Sequence, residues 1–288
     1  MDFFRFHEMI ETESGIHKLT KHVDLNQINI ADMDRPLYGL DTKEEKSEYE
    51  ANITFYNRDL EYTTDDNGNI YKQDGKLLAN ENYTVNDNTY ITDENGRIVD
   101  CIANPVYTEN GSRNIKEQCE AGGMDRREND DGGHLVARIL GGAEGVENLV
   151  AMRSTINRGD YKSMENEISK AIQDGKDVKM KIHLEYEGES TRPDKITVED
   201  SIDEKKTIRF FDNEEGSEDL LNIVQEKISK EDFEELKWEI EDMKEEGTQV
   251  SITSLKIELQ EDGKESKVSV TILDEITHLK SKIVYDAI

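Results

Sequence analysis

Two stretches in the middle of the chain decide its fold: residues 130–142 read DDGGHLVARILGG, and residues 147–167 read ENLVAMRSTINRGDYKSMENE. The paired glycines before His134 and the apolar run after it are typical of the edge of a strand. Further on, apolar side chains recur at the spacing of one helix face, at Tyr161, Met164, Ile168 and Ile172. Gly175 then ends the helical pattern. This part of the chain is therefore predicted to combine strand and helix.

The flanks of this segment carry strand patterns. Between Tyr49 and Val99, apolar and polar residues alternate around turn signals at residues 65–69 (DDNGN) and 93–96 (DENG), where Asn-Gly supplies the positive φ angles of tight turns. A small antiparallel sheet is expected here. Further strands are predicted at Val178–Tyr186 and Lys195–Val198, and no internal repeat of convincing period is found.

The last hundred residues contain a helical pattern and two strand patterns. The helical pattern begins near Ser217, includes a capping box at residues 229–232 and ends at Gly247. A turn at residues 261–263 separates those strands, so this region looks separable from the middle. The prediction is an α+β protein with three parts: an N-terminal segment of unknown role at residues 1–50, a central domain with an antiparallel sheet at residues 51–213, and an acidic helix-plus-strand accessory region at residues 214–288.

The charge of the chain bears on what it can bind. Its 288 residues are 34% hydrophobic and 35% charged, which fits a folded protein with a heavily solvated surface, and the formal net charge is -30. Such acidity argues against tight, non-specific adhesion to nucleic acid, because phosphate binding depends on Lys and Arg. The acidity lies in the flanks, however, and residues 101–185 are nearly neutral.

Features tied to cellular location are sparse. No window of about 18 apolar residues is present, so no membrane span is expected. The first seven residues lack the basic start and apolar run of a secretory signal, and export is expected only by a route independent of a signal peptide, with a cytoplasmic location as the alternative. Cys101 and Cys119 have no metal-binding spacing, and their pairing is left open.

Residues 125–168 contain the groups that phosphodiester hydrolysis needs, namely a base to activate water and a cation to stabilise developing charge. His134 can serve as the base. Asn157 and Glu165 lie eight residues apart, a little over two helical turns, and their oxygen atoms are hard ligands suited to Mg²⁺. Asn148 is near enough in sequence to help orient the site.

These strings resemble the DNA/RNA non-specific endonuclease family of the ββα-metal class. More narrowly, they are similar to nuclease domains at the C-termini of polymorphic and type VII-secreted bacterial toxins. The similarity runs from about Thr92 to Asn213 and includes Arg113-Asn114 before the site and Arg192-Pro193 after it. The fold that the resemblance implies is a strand pair packed on a helix that carries the metal ligand.

The resemblance also implies roles for individual residues. His134 corresponds to the general base, and Asn157 to the ligand of a single Mg²⁺, for which Mn²⁺ can substitute. Glu165 corresponds to the residue that holds water bound to the metal and contributes to the metal site. Asn148 corresponds to a residue that supports the site.

One departure from the family concerns the phosphate-binding arginine. Many members have Arg directly before the Gly-His pair, whereas this chain has Gly132, a feature shared by the toxin subgroup that it resembles. The arginine must then come from elsewhere. The unranked candidates are Arg126, Arg127, Arg138 and Arg158, of which Arg158 is also expected to take part in catalysis and the other three in substrate binding.

The prediction from these observations is a Mg²⁺-dependent endonuclease that cleaves DNA, with RNA as an alternative substrate. The resemblance implies an antibacterial toxin guarded by an immunity protein. The rival interpretation is a non-catalytic interaction protein that keeps the nuclease scaffold and binds partners through its acidic surface. A third hypothesis, a nutritional nuclease, would be favoured by a secretion signal.

Overall fold

The computed structural model describes most of the chain, namely residues 8–12, 15–19, 49–109, 114–214, 219–245, 249–260 and 264–288. The predicted helix start near Ser217, the helix end at Gly247, the turn at residues 261–263 and Arg113 lie outside these residues. The chain divides into two compact units, residues 1–98 and 99–288.

The first unit is built from antiparallel strands. Its main sheet has the order β2-β1-β3-β4-β5-β6, and β7 pairs antiparallel with β8. The bounds are β1 Glu8–Thr12, β2 Gly15–Leu19, β3 Thr54–Asn57, β4 Leu60–Thr64, β5 Ile70–Gln73, β6 Lys76–Leu77, β7 Asn82–Val85 and β8 Asn88–Thr92. The predicted turns at residues 65–69 and 93–96 are both present, with Gly68 and Gly96 at positive φ.

This unit contains an internal repeat that the sequence analysis missed. Asp65 and Asp93, 28 residues apart, each accept two backbone N–H groups of the turn that they open, through one carboxylate oxygen. The hydroxyls of Thr64 and Thr92 each accept one backbone N–H and donate to one backbone carbonyl. In both cases these backbone groups belong to the segment before the hairpin. Nine of the 20 residues from 51 to 70 recur identically 28 positions later, so the repeat is present in the sequence as well as in the hydrogen bonds.

The second unit contains the remaining elements in a mixed arrangement. Its helices are α1 Ile115–Glu120, α2 Ser154–Asn157, α3 Asp160–Gln173, α4 Asp219–Lys227 and α5 Lys230–Glu245. Its strands are β9 Ile98–Ala103, β10 Asp130–His134, β11 Leu149–Arg153, β12 Val178–Glu185, β13 Lys195–Ile202, β14 Lys205–Asp212, β15 Val250–Leu259, β16 Glu265–Asp274 and β17 Lys280–Asp286. α1 and β17 have no counterpart in the sequence prediction.

One antiparallel sheet forms the frame of this unit. Its strands follow the order β17-β16-β15-β14-β13-β12-β9, and β10 and β11 form a separate two-stranded sheet. Along β12, alternate residues are buried and exposed, which confirms the strand predicted from period-two alternation. The mixture of antiparallel strands and helices confirms the predicted α+β class.

The long helix α3 packs its apolar face into the core. Tyr161, Met164 and Ile168 are buried, as the periodicity predicts, and the Tyr161 hydroxyl donates to the Leu135 carbonyl over 2.7 Å. The helix begins at Asp160, so the prediction that Asn157 and Glu165 share one continuous helix is wrong. Gly159 breaks it with ψ -107°, and a Cβ there would lie 2.3 Å from the Thr155 carbonyl oxygen.

The acidic region after residue 213 is part of the second unit. β15 pairs with β14 along residues 207–211, and the apolar faces of α4 and α5 pack over β15 and β16. The predicted boundary at residue 214 therefore lies inside one compact unit, because strand pairing crosses it. Ser229 caps the helix as predicted, since its Oγ accepts the Asp232 N–H over 3.1 Å, and the Asp232 carboxylate accepts from the Ser229 hydroxyl over 2.7 Å.

Two smaller findings concern the expectations on location and cysteines. Within the described ranges, no helix is long and apolar enough to cross a membrane. Cys101 is buried, Cys119 is exposed, and both are free thiols.

Candidate active site

A cleft of about 600 Å³ lies between α1, β10 and the α2–α3 corner. It brings together six of the predicted site residues, which are Arg126, His134, Arg138, Asn157, Arg158 and Glu165. Asn148 and Arg127 do not line it. The residues that the sequence separates by up to 39 positions therefore share one solvent-accessible space.

The β10–β11 pair places His134 in this cleft. The two strands run antiparallel in the register His134↔Leu149 to Asp130↔Arg153. β10 ends at His134, after which Leu135 and Val136 turn into the core with 1% and 0% exposure. The apolar run after the histidine anchors the strand end, so the imidazole is held on a rigid element.

Asn148 lies behind the cleft and is fully buried. Its Nδ2 donates to the carbonyls of Val136 and Ala143, each over 2.8 Å, and its Oδ1 accepts the Val136 N–H over 2.9 Å. These bonds hold the loop that follows His134 against β11. The geometry suits a residue that supports the site through the backbone.

Asn157 ends α2 and projects its amide toward β10. Its Nδ2 donates to Asp131 Oδ2 over 2.9 Å, and its Oδ1 lies 3.1 Å from the point where a Cβ on Gly133 would stand. Because a carboxylate only accepts hydrogen bonds, Asp131 requires the amide to present its N–H and leaves the oxygen for another partner. The missing side chain at Gly133 leaves room beside that oxygen.

Asp131 is a site residue that the sequence analysis did not single out. Although burial opposes its ionisation, the hydrogen bonds from Arg158 and Asn157 hold the pKa of Asp131 below its ordinary value. Arg158 binds it through two nitrogens, at 2.7 and 2.6 Å. Its position in the quoted DDGGH string was the only feature of the sequence that could have indicated a role for Asp131 in the site.

Glu165 lines the cleft from α3 and is 8% exposed. Burial raises the pKa of Glu165 above its ordinary value, and the charges of Lys162 and Arg138 oppose that rise. The Lys162 ammonium lies 3.0 Å from Glu165 Oε2. Lys162 is a second cleft residue missed in the sequence, where it looks like an ordinary solvated helix position.

The four candidate arginines are placed differently. Arg126 donates to the backbone carbonyls of Gln118, Ala121 and Asp130, at 2.8, 3.2 and 2.6 Å. Arg138 stands close enough to Glu165 to influence its pKa. Arg127 instead pairs with Glu214 at 2.5 Å, outside the cleft.

The cleft is locally basic although the chain is acidic. Among the residues that the structure describes, Arg126, Arg138, Arg158 and Lys162 line it against two carboxylates, those of Asp131 and Glu165. Electrostatic attraction of a polyanion depends on the local field more than on the total charge, because salt screens distant charges within about 8–10 Å. The net charge of -30 is therefore compatible with a phosphate-binding cleft.

The residues that flank the resemblance support β10 and β11. Arg192 and Asp130 form a buried ion pair, with Nε 2.8 Å from Oδ2. Asn213 donates to the Ala151 carbonyl over 3.0 Å and accepts the Arg153 N–H over 2.8 Å. Both residues fix the strand pair to the larger sheet and do not line the cleft.

Position 132 holds glycine, where many members of the resembled family have arginine, and the structure gives a steric reason. A Cβ on Gly132 would lie 2.2 Å from the Gln118 carbonyl oxygen and 2.5 Å from its Cα, so the backbone of α1 occupies the space of a side chain. An arginine at position 132 does not fit unless α1 moves. The basic side chains of the cleft therefore come from other positions.

Gly132→Ala is expected to destabilise the protein by about 1–3 kcal/mol, since overpacking against backbone cannot be relieved by side-chain rotation. Urea denaturation measures the change. Gly175→Ala is the control, because a methyl there meets open space and only its φ of +80° opposes it, at about 1 kcal/mol. A Gly132→Ala midpoint equal to that of the wild type would contradict the close contact with α1.

Comparison with known proteins agrees with this geometry. Residues 79–204 match the family model described as DNA/RNA non-specific endonuclease, against the predicted similarity over about residues 92–213. The chain is also 36% identical over 172 residues to the Type VII secretion system protein EssD of Staphylococcus aureus strain USA300, and equally to its namesake from strain NCTC 8325 / PS 47. Each alignment covers 57% of this chain and 28% of the relative, so the chain spans less than a third of these curated relatives. Residues 79–204 thus match a DNA/RNA non-specific endonuclease domain, and the strand pair, corner and helix that form the cleft lie within this match.

Proposed function

We propose that this chain is a Mg²⁺-dependent endonuclease that hydrolyses phosphodiester bonds of DNA, with RNA as an alternative substrate. The observation that carries the proposal is one basic cleft that holds His134, Asn157 and Glu165. A base, a hard oxygen ligand and a carboxylate are the groups that this reaction needs. The endonuclease domain supports the assignment to nucleic-acid hydrolysis.

The residues present fit a hard divalent cation. Asn157 offers its amide oxygen because Asp131 occupies the amide nitrogen, and Glu165 supplies a carboxylate in the same cleft. Among the described residues, no group of three or more His, Cys, Asp or Glu side chains could hold a metal. A site with one amide oxygen and a nearby carboxylate suits Mg²⁺, which keeps several waters and takes few protein ligands, and Mn²⁺ is expected to substitute.

In the proposed reaction, His134 accepts a proton from a water molecule as that water attacks phosphorus in line with the leaving 3' oxygen. Asn157 and Glu165 would hold the cation and its surrounding water, and Asn148 keeps the loop after His134 in place. Bound Mg²⁺ would supply positive charge to stabilise the phosphate and the leaving oxygen.

The basic side chains of the cleft would bind the backbone of the substrate. Arg138 and Arg158 are the candidates for direct phosphate contacts, because charge-assisted hydrogen bonds from guanidinium suit phosphate oxygens. Arg126, tied to three carbonyls, would contribute charge from a fixed position, and Arg127 is a weaker candidate because it lies outside the cleft. Contacts limited to phosphates leave little base preference.

The biological role is proposed from the similarity to proteins named as components of type VII secretion. In this proposal the chain acts as an antibacterial toxin, is exported by type VII secretion, and is neutralised by an immunity protein in the producing cell. The support is the similarity to type VII secretion system proteins together with the endonuclease domain.

The test is cleavage of supercoiled plasmid and of a structured RNA by the purified full chain. We expect nicking that requires Mg²⁺, stops on addition of EDTA and returns with excess Mg²⁺. Comparison of the two substrates decides between DNA and RNA preference. Folded protein that leaves both intact across Mg²⁺ and Mn²⁺ at low salt would favour the non-catalytic binding scaffold, with a basic partner for its acidic surface.

A further inference from the structure

Asn157 lies in the corner between α2 and α3, so its position is not fixed by one continuous helix. α2 ends at Asn157, Gly159 interrupts the helical geometry, and α3 starts at Asp160. A four-residue helix has too few internal hydrogen bonds to be stable by itself. The position of the proposed metal ligand therefore depends on contacts that the corner makes with the rest of the unit.

Lys280, at the start of β17, makes such contacts on both sides of Asn157. Its ammonium group donates to the Thr155 carbonyl and to Asp160 Oδ2, each over 3.0 Å. Ser254 Oγ, from β15, also donates to Asp160 Oδ2 over 3.0 Å. A Cβ on Gly159 would lie 2.3 Å from the Lys280 nitrogen, which shows how closely the lysine approaches the turn.

A second anchor fixes the strand that leads into the corner. Arg153, the last residue of β11, has a side chain that is 1% exposed and binds both carboxylate oxygens of Glu275 through Nη2, at 2.7 and 2.9 Å. Ser251 donates to the same carboxylate. The approach to the corner and the corner itself are thus held by residues from the C-terminal strands and the turn between them.

All of these anchoring residues lie beyond residue 204, where the match to the endonuclease family model ends. We propose that Lys280 is a positioning residue for Asn157, so that the C-terminal region completes the metal site from outside the matched segment. This inference rests on the proposed function, since it concerns the ligand of the same site. Groups that orient a metal ligand commonly change affinity by roughly 10–100-fold when removed.

The experiment uses the full chain with Lys280→Met, which keeps the length of the side chain and removes its charge and hydrogen bonds. Mn²⁺ binding is followed by the electron paramagnetic resonance signal of the free ion, and plasmid cleavage gives kcat and KM. We expect the Mn²⁺ dissociation constant to rise roughly 10-fold or more. At limiting metal, kcat should fall in parallel, while KM for DNA should stay unchanged because Lys280 does not line the cleft.

Two variants separate positioning from general stabilisation. Lys282→Met removes an exposed lysine two residues along the same strand and should leave Mn²⁺ binding unchanged. Lys280→Arg, which keeps the charge and donors, should recover most of the affinity. If Lys280→Met proves to be unfolded, Asp160→Asn, which weakens the same bridge without changing side-chain size, should raise the dissociation constant in the same direction.

The outcomes distinguish failure of the proposed function from failure of the positioning role of Lys280. Wild-type protein that neither binds Mn²⁺ nor cleaves nucleic acid would overturn the proposed function and this inference together. Wild-type protein that binds Mn²⁺, with an equal dissociation constant in folded Lys280→Met or Asp160→Asn, would overturn the positioning role alone.

Discussion

The second unit is expected not to fold in a fragment that ends at Asn213, although composition makes the acidic region after that residue look like a separable accessory. Its removal leaves β14 without β15 and deprives the core of Leu255, Ile257 and the other buried side chains of α4, α5, β15 and β16. It also leaves the buried Arg153 without Glu275. Breaking a buried ion pair alone costs roughly 3–5 kcal/mol, against a total stability of about 5–15 kcal/mol for a typical protein.

Circular dichroism and the dispersion of one-dimensional proton NMR spectra measure the result. We expect the fragment of residues 1–213 to lose cooperative thermal unfolding of the second unit and all nuclease activity. Co-expression of residues 214–288 as a separate chain is the control, because it restores the missing contacts without restoring the covalent link. A soluble fragment with native-like dispersion would show that the C-terminal strands are dispensable for folding.

Local patterns predicted much of this unit. The alternation along residues 178–185 and the apolar face of Tyr161, Met164 and Ile168 gave a strand and a helix that the structure confirms. Such patterns are visible because a strand or helix imposes its own period on neighbouring residues. They carry no information about which strand pairs with which, so the pairing of β14 with β15 could not be predicted.

The candidate site divides in the same way. The resemblance placed His134, Asn157 and Glu165 in one segment, and the structure brings them to one cleft. It did not reveal Asp131 as the partner of Asn157, because that hydrogen bond joins residues 26 positions apart. Nor did it reveal Lys280, which approaches the corner from a strand more than 100 residues away.

The break in the helix illustrates a different limit. The apolar face runs smoothly from Tyr161 onward, and Asn157 falls near enough to it to suggest one helix. Gly159 stops the helix at that point because its backbone approaches the Thr155 carbonyl and Lys280 more closely than a Cβ would allow. The sequence around a glycine does not show whether it makes such a close contact or is simply accommodated within a continuous helix.

Replacing His134 by alanine is expected to lower kcat for plasmid cleavage by roughly 10²–10⁴-fold, the usual contribution of general acid–base catalysis. His134 is the histidine of the cleft, at the fixed end of β10 and near the proposed metal ligand. Since the proposed cation is held by Asn157 and Glu165, Mn²⁺ binding should change little. The measurement pairs initial cleavage rates with Mn²⁺ binding on the same preparations.

His183→Ala is the matched control, because this exposed histidine on β12 pairs with Asp100 and does not line the cleft. Its cleavage rate should equal that of the wild type. Added imidazole should restore part of the activity of His134→Ala, because a free base can enter the space left by the side chain, and should not affect His183→Ala. Near-wild-type cleavage by His134→Ala would remove this histidine from the mechanism and leave water activation to another group, for which the cleft offers the carboxylates of Asp131 and Glu165.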